Sequence, residues 1–536
     1  MGHEHHHEEK KPLGFFASPL TEHTASKPHP EHPSYTSAHS SDVEAATPAL
    51  SDTSYHGAKP TDLAHTTNVP FGNTDRELHD SPAFHRHAEA TTAELFYDLF
   101  FVANLTTFTS MLEINDRDSL TAYIGFFALL WLTWYQVSLY DVRFSTDSVF
   151  ERCAKAIHFG VMVGFAVIGP QWKPGQYISD YKIYKAFGII LMVSRLTLFL
   201  QYTVTLFYTK KYRKTIIPIA LIMASTLLAA ILYGVLTPAF PKDKLDEFGF
   251  SIDQKSNVYI AWYVIALCET LLTVAVSCIF RVISFKGTHM VQRMSLLTLI
   301  ILGEGIIVVC KAISKIVKNE FLWTAAVVGQ IIAAVLIIYF LYMLYFDRMQ
   351  EEHFGSIRQQ VWSFLHFPLH TVLVLVLQGV SLLIIWTQIV MAMNTMVDQF
   401  TDVVMAAENF SSGAEFASAM NDTANNNVFF YVPKGVDASK QIKTAGYALY
   451  QLEESFDYLH LDPTNVTAQE AWQSGLSDLL SAATTTLFDS FSVTVPKKKL
   501  EKVKASASGF DAAEQLVTEY LSVFELVFVY VFVAVS

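Results

Sequence analysis

Glu94 and Asp98 stand four residues apart within Ala93-Glu94-Leu95-Phe96-Tyr97-Asp98-Leu99-Phe100-Phe101-Val102, so on a helix both carboxylates project from one face. Two carboxylates that close, taken out of water, share a proton, which suits proton handling or cation binding. Facing water at a helix N-terminus, the same pair would only favour the helix dipole. His289, Arg293 and Glu304 form a second set, since at 100° per residue they fall within an arc of about 60°. They make one polar stripe down an apolar segment, and Gly303 and Gly305 beside Glu304 let another helix or a substrate approach closely. Arg195 and Glu269 sit near the middle of two further apolar runs; Arg195 has two candidate partners, Glu269 and Glu304. Alternating signs in Asp141, Arg143, Asp147, Glu151 and Arg152 describe an ion-paired interfacial loop. His366 and His370 have the i, i+4 spacing of a two-histidine metal face, but the glutamate of H-E-x-x-H is absent. Pro368 between them is expected to mark a first helical turn, and packing in the bundle, or a hydrogen-bonding or proton-relay role, suits these rings better than metal ligation. His158 reads as a bundle histidine.

Such groups need elements that hold them in an apolar medium, where each charge at the bilayer centre costs at least ~2.5–3.5 kcal/mol unless partnered. The chain supplies that medium: of 536 residues 51% are hydrophobic and 16% charged, against about 25% charged in soluble domains. Apolar runs lie at about 92–113, 119–141, 153–171, 183–208, 215–236, 258–280, 290–315, 322–345, 366–392 and 516 to the end. Each is close to the ~20 residues that carry a helix across hydrocarbon. The expected fold is all-α, a polytopic transmembrane bundle of about 9–10 membrane-spanning helices. Net charge −13 gives no support to a nucleic-acid partner. Cys153, Cys268, Cys278 and Cys310 lie in or beside apolar runs and read as small buried thiols, not as a disulfide framework. The opening residues show no apolar signal-peptide core, so the first membrane helix is expected to act as its own insertion signal.

Four regions follow. Residues 1–91 hold 13 of the 19 histidines with much Pro, Ser and Thr, and read as a disordered cytoplasmic tail. Residues 92–392 form the helical core, 393–515 a polar insertion, and 516–536 a final helix whose abrupt end suggests truncation. The basic loop Lys210-Lys211-Tyr212-Arg213-Lys214 and the loops with Arg143, Arg281 and Arg348 alternate onto one side, which the positive-inside rule makes cytoplasmic. Nine helices then place 393–515 on the lumenal or extracellular side. That side is the one on which its sequons at Asn409, Asn421 and Asn465 can be glycosylated. Asn104-Leu105-Thr106 also fits the sequon pattern but lies inside the first apolar run. In this topology Glu94, Asp98, Asp141, Arg143, His158, His289, Arg293, His366 and His370 gather toward the cytoplasmic end, with Arg195, Glu269 and Glu304 deeper. The result is a polar vestibule narrowing to a few ionisable groups.

The stretch from Glu94 to Val102 resembles the E-L-F-x-D-L-x-F-V opening of the low temperature requirement A (LtrA) family. Arg143-Phe144 with Asp147 is similar to that family's R-F-x-x-D segment, and Arg293 followed by Leu297 to Glu304 to its R-x-x-L-x-x-I-x-L-G-E stretch. Trp362 to Leu369 is similar to W-x-x-x-H-x-P-L. The four motifs span about residues 90–392; the histidine-rich tail and the 393–515 insertion lie outside them and give the look of a fungal-type member. The resemblance implies a multipass membrane protein linked to growth in the cold, without an assigned substrate. It singles out Glu94, Asp98, Arg143, Asp147, Arg293, Glu304 and His366. The expected function is a proton- or cation-coupled transporter or channel, with His366 as a titrating relay and the arginines as charge partners or anion contacts. Two alternatives stand beside it: an intramembrane enzyme acting on a lipid-like substrate, and a non-catalytic scaffold. No nucleophile, metal or cofactor motif supports the enzyme. The bilayer is the expected partner, together with a small ion or molecule that the residues do not name.

Overall fold

The structure is a computed structural model and describes residues 14–20, 84, 89–111, 114–242, 252–284, 288–317, 325–349, 356–433, 435–493 and 510–536. Most of the histidine-rich tail, including His3, His5, His6 and His7, lies outside them. Thirteen helices are formed among these residues. They are α1 Thr92–Met111, α2 Arg117–Phe144, α3 Val149–Ile168, α4 Lys182–Thr209, α5 Arg213–Leu236, α6 Tyr259–Ile279 and α7 Met290–Val317. The remainder are α8 Ala325–Phe346, α9 Ser356–Met405, α10 Gly413–Asn427, α11 Ser439–Leu461, α12 Val466–Ser490 and α13 Phe510–Val535. Nine of the described helices, α2 to α9 and α13, are long and apolar enough to cross a membrane. At 20 residues α1 has spanning length but is more polar.

Local sequence sets several starts. Asp116 caps α2: its side chain accepts from Ser119 N at 2.7 Å while Ser119 Oγ accepts from Asp116 N at 2.9 Å, a reciprocal box. Ser148 caps α3 in the same sense through Glu151 N. The caps place Asp141 and Arg143 at the end of α2 within a short turn of Glu151 and Lys155 on α3.

Burial orders the bundle. Almost every side chain of α2 from Phe126 to Phe144 is buried, apolar and polar alike, so α2 is enclosed on all sides. Large apolar side chains on the outer helices stay exposed, among them Val167, Leu228, Val264, Ile306, Val335 and Phe340, as a lipid-facing belt requires. Glycine lets two helices meet closely: a Cβ on Gly305 of α7 would come within 2.5 Å of Leu377 on α9, and one on Gly379 of α9 within 2.0 Å of Val531 on α13. At the end of the bundle reached by the C-terminus of α3 and the N-termini of α4 and α6, Trp172, Tyr184, Phe187, Phe240 and Trp262 pack ring on ring. All five are buried, and they close that end.

One feature departs from the sequence expectation and one adds to it. Helix α9 has 50 residues, about 75 Å at ~1.5 Å each, more than twice the hydrocarbon thickness. It starts ten residues before the expected apolar run and continues through residue 392 without a break. Pro368 is therefore interior to the helix and marks no first turn. The polar residues beyond 405 are helical too: α10, α11 and α12 pack through Phe416, Phe456 and Trp472, with ring centroids 4.8–6.1 Å apart. Polar composition hid this because these helices need only one apolar stripe each. From the tail, Gly14 O and Phe15 O accept from Val149 N and Phe150 N, so that segment docks on the start of α3.

Candidate functional site

Helices α1 and α7 run parallel and are tied by polar contacts along their length. Glu94 Oε2 meets His289 Nε2 at 3.0 Å, Arg293 Nη2 donates to Asp98 Oδ1 at 2.7 Å, and Thr109 Oγ1 donates to Glu304 Oε1 at 3.1 Å. Thr106 Oγ1 donates to the other Glu304 oxygen. The stripe expected on α7 therefore exists, and α1 is what it faces.

At the N-terminal end of this pair the charges converge. Arg293 lies 3.8 Å from Glu94, 2.7 Å from Asp98 and 3.6 Å from Asp141. Lys155 Nζ is 2.6 Å from Asp141 Oδ2. Trp134 Nε1 donates to Asp98 Oδ1 at 2.7 Å, and the Arg293 guanidinium lies over the Trp134 ring at 5.3 Å. Every one of these side chains is buried, so Glu94 and Asp98 do not simply face water at a helix end. Three carboxylates meet two permanent cations here, with the His289 ring against Glu94. Several polar atoms inside it make no hydrogen bond: Tyr97 OH, Asp98 Oδ2, Arg293 Nε and Arg293 Nη1.

A second chain of bonds adjoins it. Tyr140 OH donates to Glu151 Oε1 at 2.8 Å, Gln201 Nε2 donates to Glu151 Oε2 at 2.7 Å, and Gln201 Oε1 meets His158 Nε2 at 3.0 Å. Deeper, Arg195 takes Glu269 as its partner, Nε to Oε2 at 2.6 Å, and not Glu304. Arg143 is buried without a carboxylate: Nε donates to Leu139 O at 2.6 Å, Nη1 to Ser277 Oγ at 2.8 Å, and Nη2 has no partner. Along α7, Glu304 lies eleven residues beyond Arg293, about 16 Å deeper. It is buried and makes no ion pair among the described residues; the cation acting on it is Lys311, two turns further along the helix and exposed.

The remaining candidates separate from these centres. Asp147 sits outside the bundle in a bidentate contact with Arg152 at 2.8 and 2.9 Å, as the alternating charges suggested. Hydrogen bonding from Arg152 holds its carboxyl below the usual range. His366 donates from Nδ1 to Trp362 O at 2.9 Å and accepts at Nε2 from Tyr345 OH at 2.8 Å. His370 accepts at Nδ1 from Trp131 Nε1 at 3.0 Å, which leaves Nε2 to donate to Thr298 Oγ1 at 2.8 Å. All four ring nitrogens are thereby engaged. No group of three or more metal-ligating side chains exists among the described residues. Asn409 and Asn421 are exposed and Asn465 is half-buried, its side chain capping α12 through Ala468 N at 3.1 Å. Asn104 is buried, donating to Phe100 O and Met162 O.

Lys155, Glu151, Trp134, Thr106 and Thr109 escaped the sequence reading as site residues. Lys155 had a signal: it stands four residues after Glu151 inside an apolar run, and a cation there demands a partner.

Fold and site together define an integral, multi-pass helical membrane protein with an ionisable interior. Residues 89–408, more than half of the chain, match the family model described as bacterial low temperature requirement A protein (LtrA). The chain belongs to the LtrA family. No curated protein and no solved structure matches it.

Proposed function

We propose that the protein moves protons or cations across its membrane, as a coupled transporter or channel. The observation that carries this is the balance of buried charge. Six carboxylates are buried in the described bundle: Glu94, Asp98, Asp141, Glu151, Glu269 and Glu304. They face four permanent cations: Arg143, Lys155, Arg195 and Arg293. Two negative charges in excess, in a medium where each unpaired one costs at least ~2.5–3.5 kcal/mol, hold protons or cations there. Glu94, Asp98 and Arg293 serve as the entry cluster, Arg195 and Glu269 as a fixed pair, and Glu304 as the deeper station. The aromatic layer around Trp172 and Trp262 closes the far end, so passage requires that layer to part.

Arg143 favours a second reading. A buried guanidinium with a free N–H edge suits a phosphate or carboxylate, as an intramembrane enzyme on a lipid-like substrate would need. On both readings the N-terminal tail is cytoplasmic, the plasma membrane or an endomembrane is the site, and Asn409, Asn421 and Asn465 are glycan acceptors.

The test is proton flux into liposomes bearing purified wild type or Glu304→Gln, with and without an ion gradient. Flux that disappears in a folded Glu304→Gln variant supports transport. Absence of flux in both across a panel of common ions overturns it and directs the search to anionic lipid substrates at Arg143.

A further inference from the structure

Helix α8 is held to the bundle along only part of its length. Of the nine described helices fit to cross a membrane it is the least buried, with 17% of its spanning stretch inside the protein against 33–72% for the others. Its buried side chains are Val327, Ala334 and Ile338, and none of its side chains beyond Ile338 is buried. The C-terminal end of α8 therefore stands off the bundle, and a cleft of about 250 Å³ opens there against the first turns of α9. The Tyr345 hydroxyl, donating to His366 Nε2 at 2.8 Å, ties the two helices together at the cleft. Its wall is graded in polarity. Leu344, Leu365 and Leu369 line it and are exposed, while Arg348 and Trp362 line it toward the α8–α9 turn. Arg358 extends the polar end: with Trp362, Leu365 and Leu369 it falls within an arc of about 60° on α9. Arg348 and Arg358 are exposed, and neither makes an ion pair among the described residues. Asp347 beside them is exposed and pairs with neither.

We infer that this cleft seats one anionic phospholipid of the surrounding bilayer, its phosphate on Arg348 and Arg358 and an acyl chain along Leu344, Leu365 and Leu369. An apolar cleft that opens sideways into hydrocarbon fills with lipid, because water is excluded there. From Arg358 to Leu369 the helix rises about 16 Å, which reaches from the headgroup layer into the hydrocarbon of one leaflet. Trp362 stands between the two, at the level where an indole is favoured at a membrane interface. A guanidinium meets a phosphate diester with paired N–H donors. Two such cations against the single charge of Asp347 favour a lipid of net negative charge over a zwitterion. In the orientation proposed above the cleft opens into the cytoplasmic leaflet, whose surface is anionic. The lipid completes the packing that α8 lacks beyond Ile338, so it stabilises the position of α8 on α9. The cleft lies apart from the charge cluster on α1 and α7, so the site stands whether or not the protein moves ions.

The test uses the full chain in nanodiscs of phosphatidylcholine, with or without phosphatidylserine. The melting midpoint is read in each, and native mass spectrometry counts the lipid retained on extraction. A lipid that binds the folded state raises the midpoint. Wild type is expected to melt higher with phosphatidylserine and to retain one such lipid per chain. Arg348→Gln is expected to weaken retention about tenfold, the loss of one charge-assisted contact. Leu365→Trp fills the cleft without changing charge. It is expected to lose the retained lipid while melting normally in phosphatidylcholine alone, which separates lost binding from a folding defect. Arg281→Gln removes an exposed cation away from the cleft and is expected to change neither readout. Equal midpoints with no retained lipid in wild type overturn the site. So do equal losses in Arg281→Gln and Arg348→Gln, which mean diffuse attraction to the surface, and full retention in Leu365→Trp, which means that the cleft is not used. Soluble glycerophosphoserine or inorganic phosphate that reproduces the stabilisation overturns a bilayer lipid as the occupant.

Discussion

Removing the Arg293 guanidinium tests whether the charge cluster is sealed from water. In wild type Arg293 contacts Glu94, Asp98 and Asp141, and Lys155 is the other permanent cation in the group. Arg293→Met leaves three carboxylates against Lys155. The Asp98 contact at 2.7 Å is worth about 6 kcal/mol of gross Coulomb attraction at an effective dielectric of 20, much of it offset by desolvation. Stranding one partner of a buried pair typically costs about 3–5 kcal/mol, and the expected loss here is at the upper end because two further carboxylates also lose their cation. Asp98→Asn on the Arg293→Met background restores the wild-type charge balance while the amide oxygen still accepts from Trp134 Nε1. The double variant is expected to recover at least half of the lost stability. Reversible unfolding in mixed micelles, followed by tryptophan fluorescence, gives the double-mutant cycle directly. A stability unchanged by Arg293→Met means that the cluster is hydrated and the burial argument is wrong. A double variant no better than Arg293→Met alone refutes the charge-balance reasoning while leaving burial intact.

The Arg195–Glu269 pair should behave as structure: Arg195→Met alone costs about 3–5 kcal/mol, and adding Glu269→Leu returns most of it, measured by the same unfolding assay. If the pair instead moves during transport, the rescued variant folds but loses flux. Gly379→Ala places a methyl group 2.0 Å from Val531, and is expected to cost about 1–3 kcal/mol by displacing α13. Gly303→Ala, where nothing lies within 4 Å, is expected to be neutral or to stabilise by up to ~1 kcal/mol; equal melting shifts in the two variants would contradict the packing described. Asn465→Asp keeps a capping oxygen for Ala468 N but removes the glycan acceptor. It is expected to change gel mobility without changing stability, whereas Asn465→Ala loses the cap as well, at about 1 kcal/mol.

The membrane helices were legible in the sequence because hydrocarbon imposes a length. Runs placed at about 183–208, 215–236 and 258–280 returned as Lys182–Thr209, Arg213–Leu236 and Tyr259–Ile279. The buried ionisable residues were visible for a related reason: Glu94, Asp98, Arg195, Glu269, Arg293 and Glu304 stand in apolar runs where a charge is expensive. Where polarity is spread over amphipathic helices, as from 406 to 490, no such penalty marks the sequence, and it showed only a polar insertion, without the bounds of α10 to α12.

Partnership was not legible. Spacing along α7 aligned His289, Arg293 and Glu304, but only the parallel packing of α1 decided that each faces a different polar group there. Arg195 had two carboxylates to choose from in the sequence; the crossing of α4 and α6 chose Glu269 and left Glu304 to Thr106 and Thr109. Asp141 found Lys155 and Arg293, while its near neighbour Arg143 turned to backbone and hydroxyl oxygens. By itself the sequence determined which side chains are too costly to leave alone in a membrane, because that cost depends on the residue and the apolar run around it. Which of them neutralise one another was decided by the tertiary structure alone, because pairing depends on distances between helices far apart in the chain.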